Sequence, residues 1–191
     1  MARIDNNPLV QGASGNLGGK CVYKKRGSKT FIAMMPKINK NKKPTDDQVR
    51  VRDHFGEAVA YAKGAILSPV LKKLYQKKAT NGSTAFNVAF RDYRNAPVVK
   101  GIDTKQYNGA RGSIIMIKAR DDFRVVAVRL GIYNTEGVLI EEGDAILNPV
   151  ERSKWIYAAT IDNASLKGCT IKAIAFDLPG NKGSLEVMIE D

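Results

Sequence analysis

The stretch that decides the fold lies in the C-terminal third of the chain, where residues 168–181 read GCTIKAIAFDLPGN. Ile171, Ala173 and Ala175 are every second residue of this stretch, which is the period of a β-strand with one face toward a core. Residues 155–160, which read WIYAAT, form a second run of β-branched and aromatic character. Both runs therefore predict strands.

The end of the same stretch predicts a tight turn. Asp177 can cap the turn with its side chain, while Gly180 and Asn181 tolerate a positive φ angle. Trp155 is the one tryptophan of the chain, and we expect it to fill a core between two sheets.

Working outward, residues 111–191 are rich in short strand-forming runs separated by turn signals. In one run Val126, Val128, Leu130 and Ile132 alternate and share a predicted face. Short strands with turns at intervals of roughly 8–12 residues are typical of a β-sandwich. The predicted strands are Ser113–Lys118, Phe123–Tyr133, Val138–Glu142, Trp155–Thr160, Thr170–Phe176 and Ser184–Ile189.

The segment 155–181 resembles bacterial immunoglobulin-like repeats, which read W-x-Y-x-x and then G-x-Y/T-x-I/V-x-A-x-A-x-D-x-x-G-N. This chain departs from the pattern at Thr170, where an aromatic residue is usual, and at Pro179 in the turn. The resemblance implies an immunoglobulin-like (Ig-like) β-sandwich and says almost nothing about function, because such folds carry many functions.

Upstream, residues 45–110 are predicted to be helical. Thr45 and Gln48 are spaced as a capping box, and Ser68-Pro69 is spaced as an N-cap followed by a proline at the first helical position. A third short helix is predicted from Thr84 to about Asn95. The first helix carries an apolar stripe at helical spacing, formed by Val51, Phe55, Ala58, Val59, Ala62 and Ile66.

Residues 1–44 are predicted to form a glycine-rich basic arm with a β-hairpin. The strands of the hairpin are Cys21–Lys24 and Thr30–Met35, and Arg26-Gly27-Ser28 supplies the turn. The predicted fold class is therefore α+β, with an N-terminal hairpin and short helices followed by a C-terminal Ig-like sandwich. We expect three regions, 1–44, 45–110 and 111–191, with the helical region packing on the hairpin.

The charge of the chain is concentrated in its first half. Lys and Arg number 31 against 19 Asp and Glu, which gives a net charge of +12. Residues 1–100 hold 20 of the basic residues and 6 of the acidic ones, so the remainder is close to neutral. Such an asymmetry indicates a basic arm or patch that attracts phosphates or an acidic protein surface, although a well-solvated lysine-rich surface has the same composition.

Nine basic residues are the candidate contacts with phosphate or with an acidic partner. Lysine outnumbers arginine among them, which suits sequence-independent attraction to phosphate better than the reading of bases. Tyr23 and Phe31 could stack on bases if they were exposed. The nine candidates are Lys20, Lys24, Lys25, Arg26, Lys29, Lys37, Lys40, Lys42 and Lys43.

The remaining motifs argue against an enzyme, a cofactor or a metal site. Residues 14–21, SGNLGGKC, miss the phosphate-loop pattern because Cys21 cannot supply the hydroxyl that holds magnesium. One histidine, His54, and two unpaired cysteines do not make a catalytic triad or a histidine-based zinc site. Acids near the sandwich loops could meet at a calcium site, but no loop carries the dense alternating acids that calcium needs, so solvated turns are favoured; these acids are Asp121, Asp122, Glu141, Glu142, Asp144 and Asp162.

A broader resemblance covers most of the chain. Gly15-Asn16-x-x-Gly19 and Pro44-Thr45-x-x-Gln48-x-x-x-Arg52-x-x-Phe55 are similar to an uncharacterised family of roughly 200-residue proteins from Bacteroidetes and their phages. Small proteins that join a basic part to an Ig-like module also resemble phage virion components. The resemblance implies an architecture and a host group, and it implies no activity.

These observations predict a non-enzymatic structural or interaction protein, a subunit of a larger assembly such as a phage virion. The alternative is a sequence-independent nucleic-acid-binding protein that acts through the basic half. The expected partners are other protein subunits in an oligomer, either further copies or virion proteins. The N-terminus lacks the apolar segment of a signal peptide, and no apolar run reaches the ~18–20 residues of a membrane span; we expect synthesis in the cytoplasm, no membrane partner and incorporation into a virion.

Overall fold

The structure is a computed structural model of the 191-residue chain, and it describes residues 2–4, 7–10, 12–26, 29–37, 43–80 and 82–190. The described residues contain three α-helices and three four-stranded sheets, and every described strand pair is antiparallel. The fold is therefore α+β. Its contacts divide the chain into two compact units, Met1–Asp46 and Asp47–Asp191.

The first unit is a small sheet built around the predicted hairpin. Its strands are β1 (Ala2–Arg3), β2 (Gly15–Leu17), β3 (Cys21–Arg26) and β4 (Lys29–Met34), in the order β1-β4-β3-β2. The hairpin prediction is confirmed for β3 and β4, although Gly27 and Ser28 of its turn lie outside the described residues.

The glycine-rich stretch of the first unit forms a second hairpin that the sequence did not predict. Gly18 and Gly19 have φ angles of +58° and +70°, and they reverse the chain between β2 and β3. The side chain of Asn16 fixes this turn, since its Oδ1 accepts a hydrogen bond from the Gly19 amide at 2.9 Å. A left-handed backbone at two successive positions explains why two glycines stand here.

The second unit opens with three helices, α1 (Asp46–Leu67), α2 (Pro69–Lys78) and α3 (Ala85–Arg94). Ser68 and Thr84 cap α2 and α3, because each side-chain oxygen accepts a hydrogen bond from the backbone amide three residues later. The predicted Ser68 cap and the third helix are thus confirmed, and the capping box of Thr45 and Gln48 stays a prediction. Among the described residues, no helix has the length and apolar character to cross a bilayer.

The predicted apolar stripe of α1 is buried along only part of its length. Ala58 and Ala62 are fully buried, whereas Val51 and Phe55 are 62% and 52% exposed. Phe55 nevertheless packs edge-on against Phe90 of α3 at a ring-centroid separation of 5.0 Å. The stripe therefore faces the rest of this unit from Phe55 onward, and it is fully buried only from Ala58.

Two four-stranded sheets follow the helices. One sheet has the order β5-β6-β10-β9, and the other has the order β12-β11-β7-β8. The first comprises β5 (Val98–Asp103), β6 (Ile114–Arg120), β9 (Ile146–Leu147) and β10 (Lys154–Ala158). The second comprises β7 (Val125–Tyr133), β8 (Leu139–Asp144), β11 (Thr170–Asp177) and β12 (Lys182–Met188).

The main core lies between these two sheets. Alternate residues of β6 and β10 on one sheet and of β7 and β11 on the other form one buried cluster. Ile171, Ala173 and Ala175 are fully buried in it, as predicted, and Trp155 is buried among them. The chain therefore contains a sandwich-like layer pair.

Val126 departs from its predicted face and is exposed. The pairing of β11 with β7 shifts register at Phe176/Asp177, so that Ala127 and Val125 are paired while Val126 is not. A bulge inserts one extra residue into a strand and releases its side chain from the regular alternation, which accounts for the exposure.

One point of close approach joins the edges of the two sheets. Gly183 near the start of β12 faces the backbone of Pro97, which precedes β5, and a Cβ at position 183 would overlap the Pro97 carbonyl oxygen. Only glycine lets these two backbones come so near.

The helices pack on the sandwich. Tyr75 of α2 stacks on Phe123 at a ring separation of 4.4 Å, and Phe123 and Leu178 of the sandwich join the apolar cluster of the helices. The Asn181 Nδ2 amide donates hydrogen bonds to the backbone carbonyls of Asp92 and Tyr93 at 3.3 and 3.0 Å.

The predicted limits of the three regions differ from those in the structure. Strand β5 lies inside 45–110, the region that the sequence predicts to be helical, and the contacts join the helices to the sandwich in one unit. The packing of the helices on the hairpin stays a prediction.

Candidate interaction surface on the N-terminal sheet

The strand register sorts the side chains of the N-terminal sheet into two unlike faces. Leu17, Cys21 and Met34 lie opposite one another on β2, β3 and β4, and Tyr23 lies opposite Ile32 one step along. Paired residues and alternate residues share a face of a sheet. These five apolar side chains therefore form one surface, which we call the apolar face.

The apolar face is incompletely covered. Met34 is 80% exposed and Leu17 is 56% exposed, and the other three side chains are half-buried. Among the described side chains of Met1–Asp46, only that of Thr30 is buried. A small sheet needs an apolar face covered by another element to be stable, so this unit lacks within its described residues the core that such a sheet requires.

The opposite face of the sheet carries basic residues around an aromatic ring. Lys24 is paired with Phe31, and the next pair toward the turn is Arg26 with Lys29. By alternation Lys24, Lys29 and Phe31 share this face, while Lys25 is paired with Thr30 on the apolar face. Phe31 is half-buried, so part of its ring is accessible.

The nine predicted basic contacts are thus not one patch. Lys24 and Lys29 share a face, Lys25 lies on the other, and Lys20 stands in the turn between β2 and β3. Lys37 and Lys43 are exposed beyond the sheet. Lys40 and Lys42 lie outside the described residues, and for Arg26 only the backbone pairing is described.

A second basic region, which sequence reasoning missed, lies in the unit of helices and sandwich. A cleft of about 620 Å³ is lined by apolar residues that include Phe123 and Leu147, by Asp121 and by four cationic residues. Its four cationic lining residues come from α2, from both ends of the β6–β7 connection and from the turn before β10. They are Lys78, Arg120, Arg124 and Arg152.

The acids that the sequence placed near the sandwich loops serve mostly as structural hydrogen-bond acceptors. Glu141 Oε2 accepts from the amide and hydroxyl of Thr160 and from the Ile161 amide. Asp162 accepts from the Arg111 amide at 2.7 Å, and Asp144 pairs with Arg129 at 3.0 Å. Within the described residues, the one of these loop acids that joins a cluster of potential metal ligands is Asp121.

The other candidate chemical groups have ordinary surroundings. His54 is half-buried on α1, 3.6 Å from Glu57. Cys169 is buried with its thiol directed to the Ser165 carbonyl, and both cysteines are free. The segment 14–21 forms the β2–β3 hairpin, with no helix after it, so it does not have the strand–loop–helix form of a phosphate-binding loop.

Comparison with known proteins yields partial structural likenesses alone. No protein-family model matches the chain, and no curated protein does. CopC from Methylosinus trichosporium OB3b is 12% identical, covers 49% of this chain and 93% of its own, and has a TM-score of 0.35. A tetra-tandem repeat from the extending region of a large adhesion protein is 18% identical and has a TM-score of 0.34. This match covers 50% of the present chain and 24% of the adhesion-protein chain.

Proposed function

We propose that this chain is a non-enzymatic structural and interaction protein, a subunit of a larger assembly such as a phage virion. The observation that supports the proposal best is the apolar face, which is arranged like one side of a sandwich and on which Leu17 and Met34 are exposed. The neighbouring subunit, in the simplest case a second copy of this chain, lies against this face.

Contact with a neighbour would remove the exposed apolar side chains of this face from water. Full burial of a Leu or Met side chain is worth about 1.5–3 kcal/mol, and Leu17 and Met34 are both largely exposed. An uncovered apolar sheet face is unfavourable in water and marks an interaction surface. Val51 and Phe55 of α1, one helical turn apart and exposed, offer a further apolar contact to a neighbour.

The sandwich is proposed to be Ig-like, in accordance with the sequence resemblance of residues 155–181. The turn after β11 supports this proposal, because Asp177 Oδ1 accepts hydrogen bonds from the amides of Gly180 and Asn181 at 2.8 and 2.6 Å. Gly180 has a φ angle of +97°. In this proposal the sandwich is displayed by the assembly and the N-terminal sheet attaches it.

The test is the mass of the full chain in solution across a concentration series, measured by light scattering after gel filtration. We expect the mass to rise above 20.9 kDa with concentration. The double variant Leu17→Lys/Met34→Lys should stay monomeric, because it places two charges on the apolar face.

The matched control is Val138→Lys/Val150→Lys, which replaces two exposed valines of the sandwich connections. It should associate like the unchanged chain. A chain that stays at 20.9 kDa at every concentration, or a Leu17/Met34 variant that associates like the control, contradicts the proposal.

The second candidate function is sequence-independent nucleic-acid binding. Two observations favour it: the cleft with four cationic side chains, and the face on which Lys24 and Lys29 flank Phe31. Basic side chains beside an aromatic ring suit contact with phosphates and stacked bases.

A shift assay with random duplex DNA at several salt concentrations tests this candidate. Arg120→Gln/Arg124→Gln/Arg152→Gln should lower the magnitude of the salt slope by about 2.7, at about 0.9 for each lost phosphate contact. The comparison variant Lys24→Gln/Lys29→Gln measures separately how much the N-terminal sheet contributes to DNA binding. No binding at low salt rejects the candidate.

A further inference from the structure

Three carboxylates meet where the helices pack on the sandwich. Asp92 belongs to α3, Asp121 follows β6, and Asp177 is the last residue of β11. One oxygen from each lies within 4.8 Å of the other two. Three separate elements of the fold thus bring acidic groups to one point.

Local hydrogen bonds hold each carboxylate in place. Asp121 Oδ2 accepts from the amides of Phe123 and Arg124 at 3.0 and 2.7 Å. Asp177 is held by the turn amides described above and by Asn181 Nδ2 at 2.8 Å. The geometry is therefore set by the backbone of two turns before any ligand arrives.

Asp92 is fixed from the helical side. Its Oδ2 accepts a hydrogen bond from the Tyr75 hydroxyl at 2.6 Å, and that hydroxyl also contacts the Tyr61 hydroxyl at 2.7 Å. Asp92 is 1% exposed, so water does not solvate its charge.

Two oxygens of the cluster are left without a donor. Asp92 Oδ1 and Asp121 Oδ1 are both buried, and no described residue donates a hydrogen bond to either. No ion pair among the described residues reaches any of the three carboxylates. Buried acceptors and like charges at close range are costly unless a positive species lies between them.

We propose that Asp92, Asp121 and Asp177 form a binding site for a divalent cation, Ca²⁺. Three carboxylate oxygens that lie within 4.8 Å of one another can bind a single ion together. The ligand set favours Ca²⁺ over Mg²⁺, because Mg²⁺ is usually bound by one or two carboxylates and keeps several waters, whereas Ca²⁺ takes more carboxylate ligands in a flexible geometry. Carboxylate oxygens are the ligands that this ion prefers.

The electrostatics of the cluster show the repulsion that an occupant of either kind, a cation or a proton, would relieve. Burial raises the pKa of Asp92 to about 7, the Tyr75 hydrogen bond opposes the rise, and the charges of Asp121 and Asp177 add to it. Burial also raises the pKa of Asp177. A bound cation removes the repulsion among the three groups and ties α3 to both sheets.

A proton, instead of a cation, would also satisfy Asp92 Oδ1 and Asp121 Oδ1. A single proton on Asp92 Oδ1 can be donated to Asp121 Oδ1, which leaves the cluster at a lower charge without a metal. The experiment must separate these two cases.

The test uses the full chain near neutral pH and Tb³⁺ as a luminescent substitute for Ca²⁺. Tyr75 lies against Asp92, so a bound Tb³⁺ is close enough to be excited through the tyrosine ring. We expect saturable luminescence that Ca²⁺ displaces, together with a rise in Tm on adding Ca²⁺ that EGTA reverses.

Asp92→Asn and Asp121→Asn should each weaken Tb³⁺ binding by about tenfold or more, because each removes a charged ligand. Asp122→Asn is the matched control, since Asp122 neighbours Asp121 but is exposed and paired with Arg91 and Asn95. It should bind Tb³⁺ within about twofold of the unchanged chain.

Three results overturn the proposal. The first is no saturable luminescence and no Ca²⁺ effect on the Tm of the unchanged chain, a result that needs no variant to fold. The second is equal Tb³⁺ binding by Asp92→Asn and the control. The third is an Asp92→Asn chain more stable than the unchanged one in the absence of any Ca²⁺ effect, which identifies the shared proton.

Discussion

The N-terminal sheet and the sheets of the sandwich share the same alternation of apolar residues, but the apolar face is partly exposed in the first and buried in the second. In each, a four-stranded antiparallel sheet places alternate apolar residues on one face. In the sandwich Leu130 and Ile171 are fully buried against the opposite sheet, whereas Met34 of the N-terminal sheet is mostly exposed. The difference shows that alternation predicts a face, while the neighbouring element decides whether that face is buried.

The largest expected effect is the loss of a side chain between the two sandwich sheets. Leu130→Ala should lower the free energy of unfolding by about 2–5 kcal/mol, because it leaves a cavity in a fully packed cluster. Urea unfolding followed by Trp155 fluorescence measures the change. A loss below about 1 kcal/mol would contradict the tight packing of the sandwich core on which the comparison depends.

A second, smaller effect is expected where the edges of the two sheets meet. Gly183→Ala should cost about 1–3 kcal/mol, because its Cβ overlaps the Pro97 carbonyl and backbone must move to accept it. The control is Gly101→Ala, also on a strand, where a Cβ meets nothing within 4 Å. Equal unfolding midpoints for the two variants in urea would contradict the close approach.

The contact between helices and sandwich should give an intermediate loss. Asn181→Ala removes the amide that bonds the Asp92 and Tyr93 carbonyls and the Asp177 side chain. We expect the free energy of unfolding to fall by about 1–2 kcal/mol. Hydrogen exchange should show faster opening of α3 with little change in β6 and β10, and uniform opening of the whole unit would count against a local tie.

The smallest effect should come from the apolar face. Met34→Ala should change the free energy of unfolding by less than about 0.5 kcal/mol at concentrations where the chain is monomeric, since this side chain is largely exposed. The same substitution should weaken self-association. A loss as large as that of Leu130→Ala would mean that Met34 is buried within the monomer.

The strands that could be predicted are those whose own residues carry the pattern. β11 was located to within one residue, because Thr170–Phe176 alternates without a break and ends in a capped turn. β9 was missed because it is only Ile146–Leu147, which is too short for an alternating pattern, and it is a strand only through its pairing with Trp155 and Ile156 of β10. β5 was missed because its run is short and contains Gly101 at a register shift.

The candidate sites divide in the same way. The two faces of the N-terminal sheet follow from alternation along β3 and β4, so the separation of Lys24 from Lys25 could be derived from sequence. The four cations of the cleft, Lys78 among them, and the cluster at Asp92 depend on contacts across the fold. Asp92 is a single acid within the short helix α3, and its burial beside Tyr75 has no local signal in the sequence.

Gly183 also affects how well the folded chain resists aggregation. β5 and β12 are edge strands of their sheets, and exposed edges are templates on which foreign strands add during aggregation. The close approach at Gly183 and Pro97 makes each edge a shield for the other near the start of β12. A larger residue there would cost folding energy, and it would also open both edges to strand addition, so Gly183 variants should form fibrils or amorphous aggregate faster than their loss of stability alone requires.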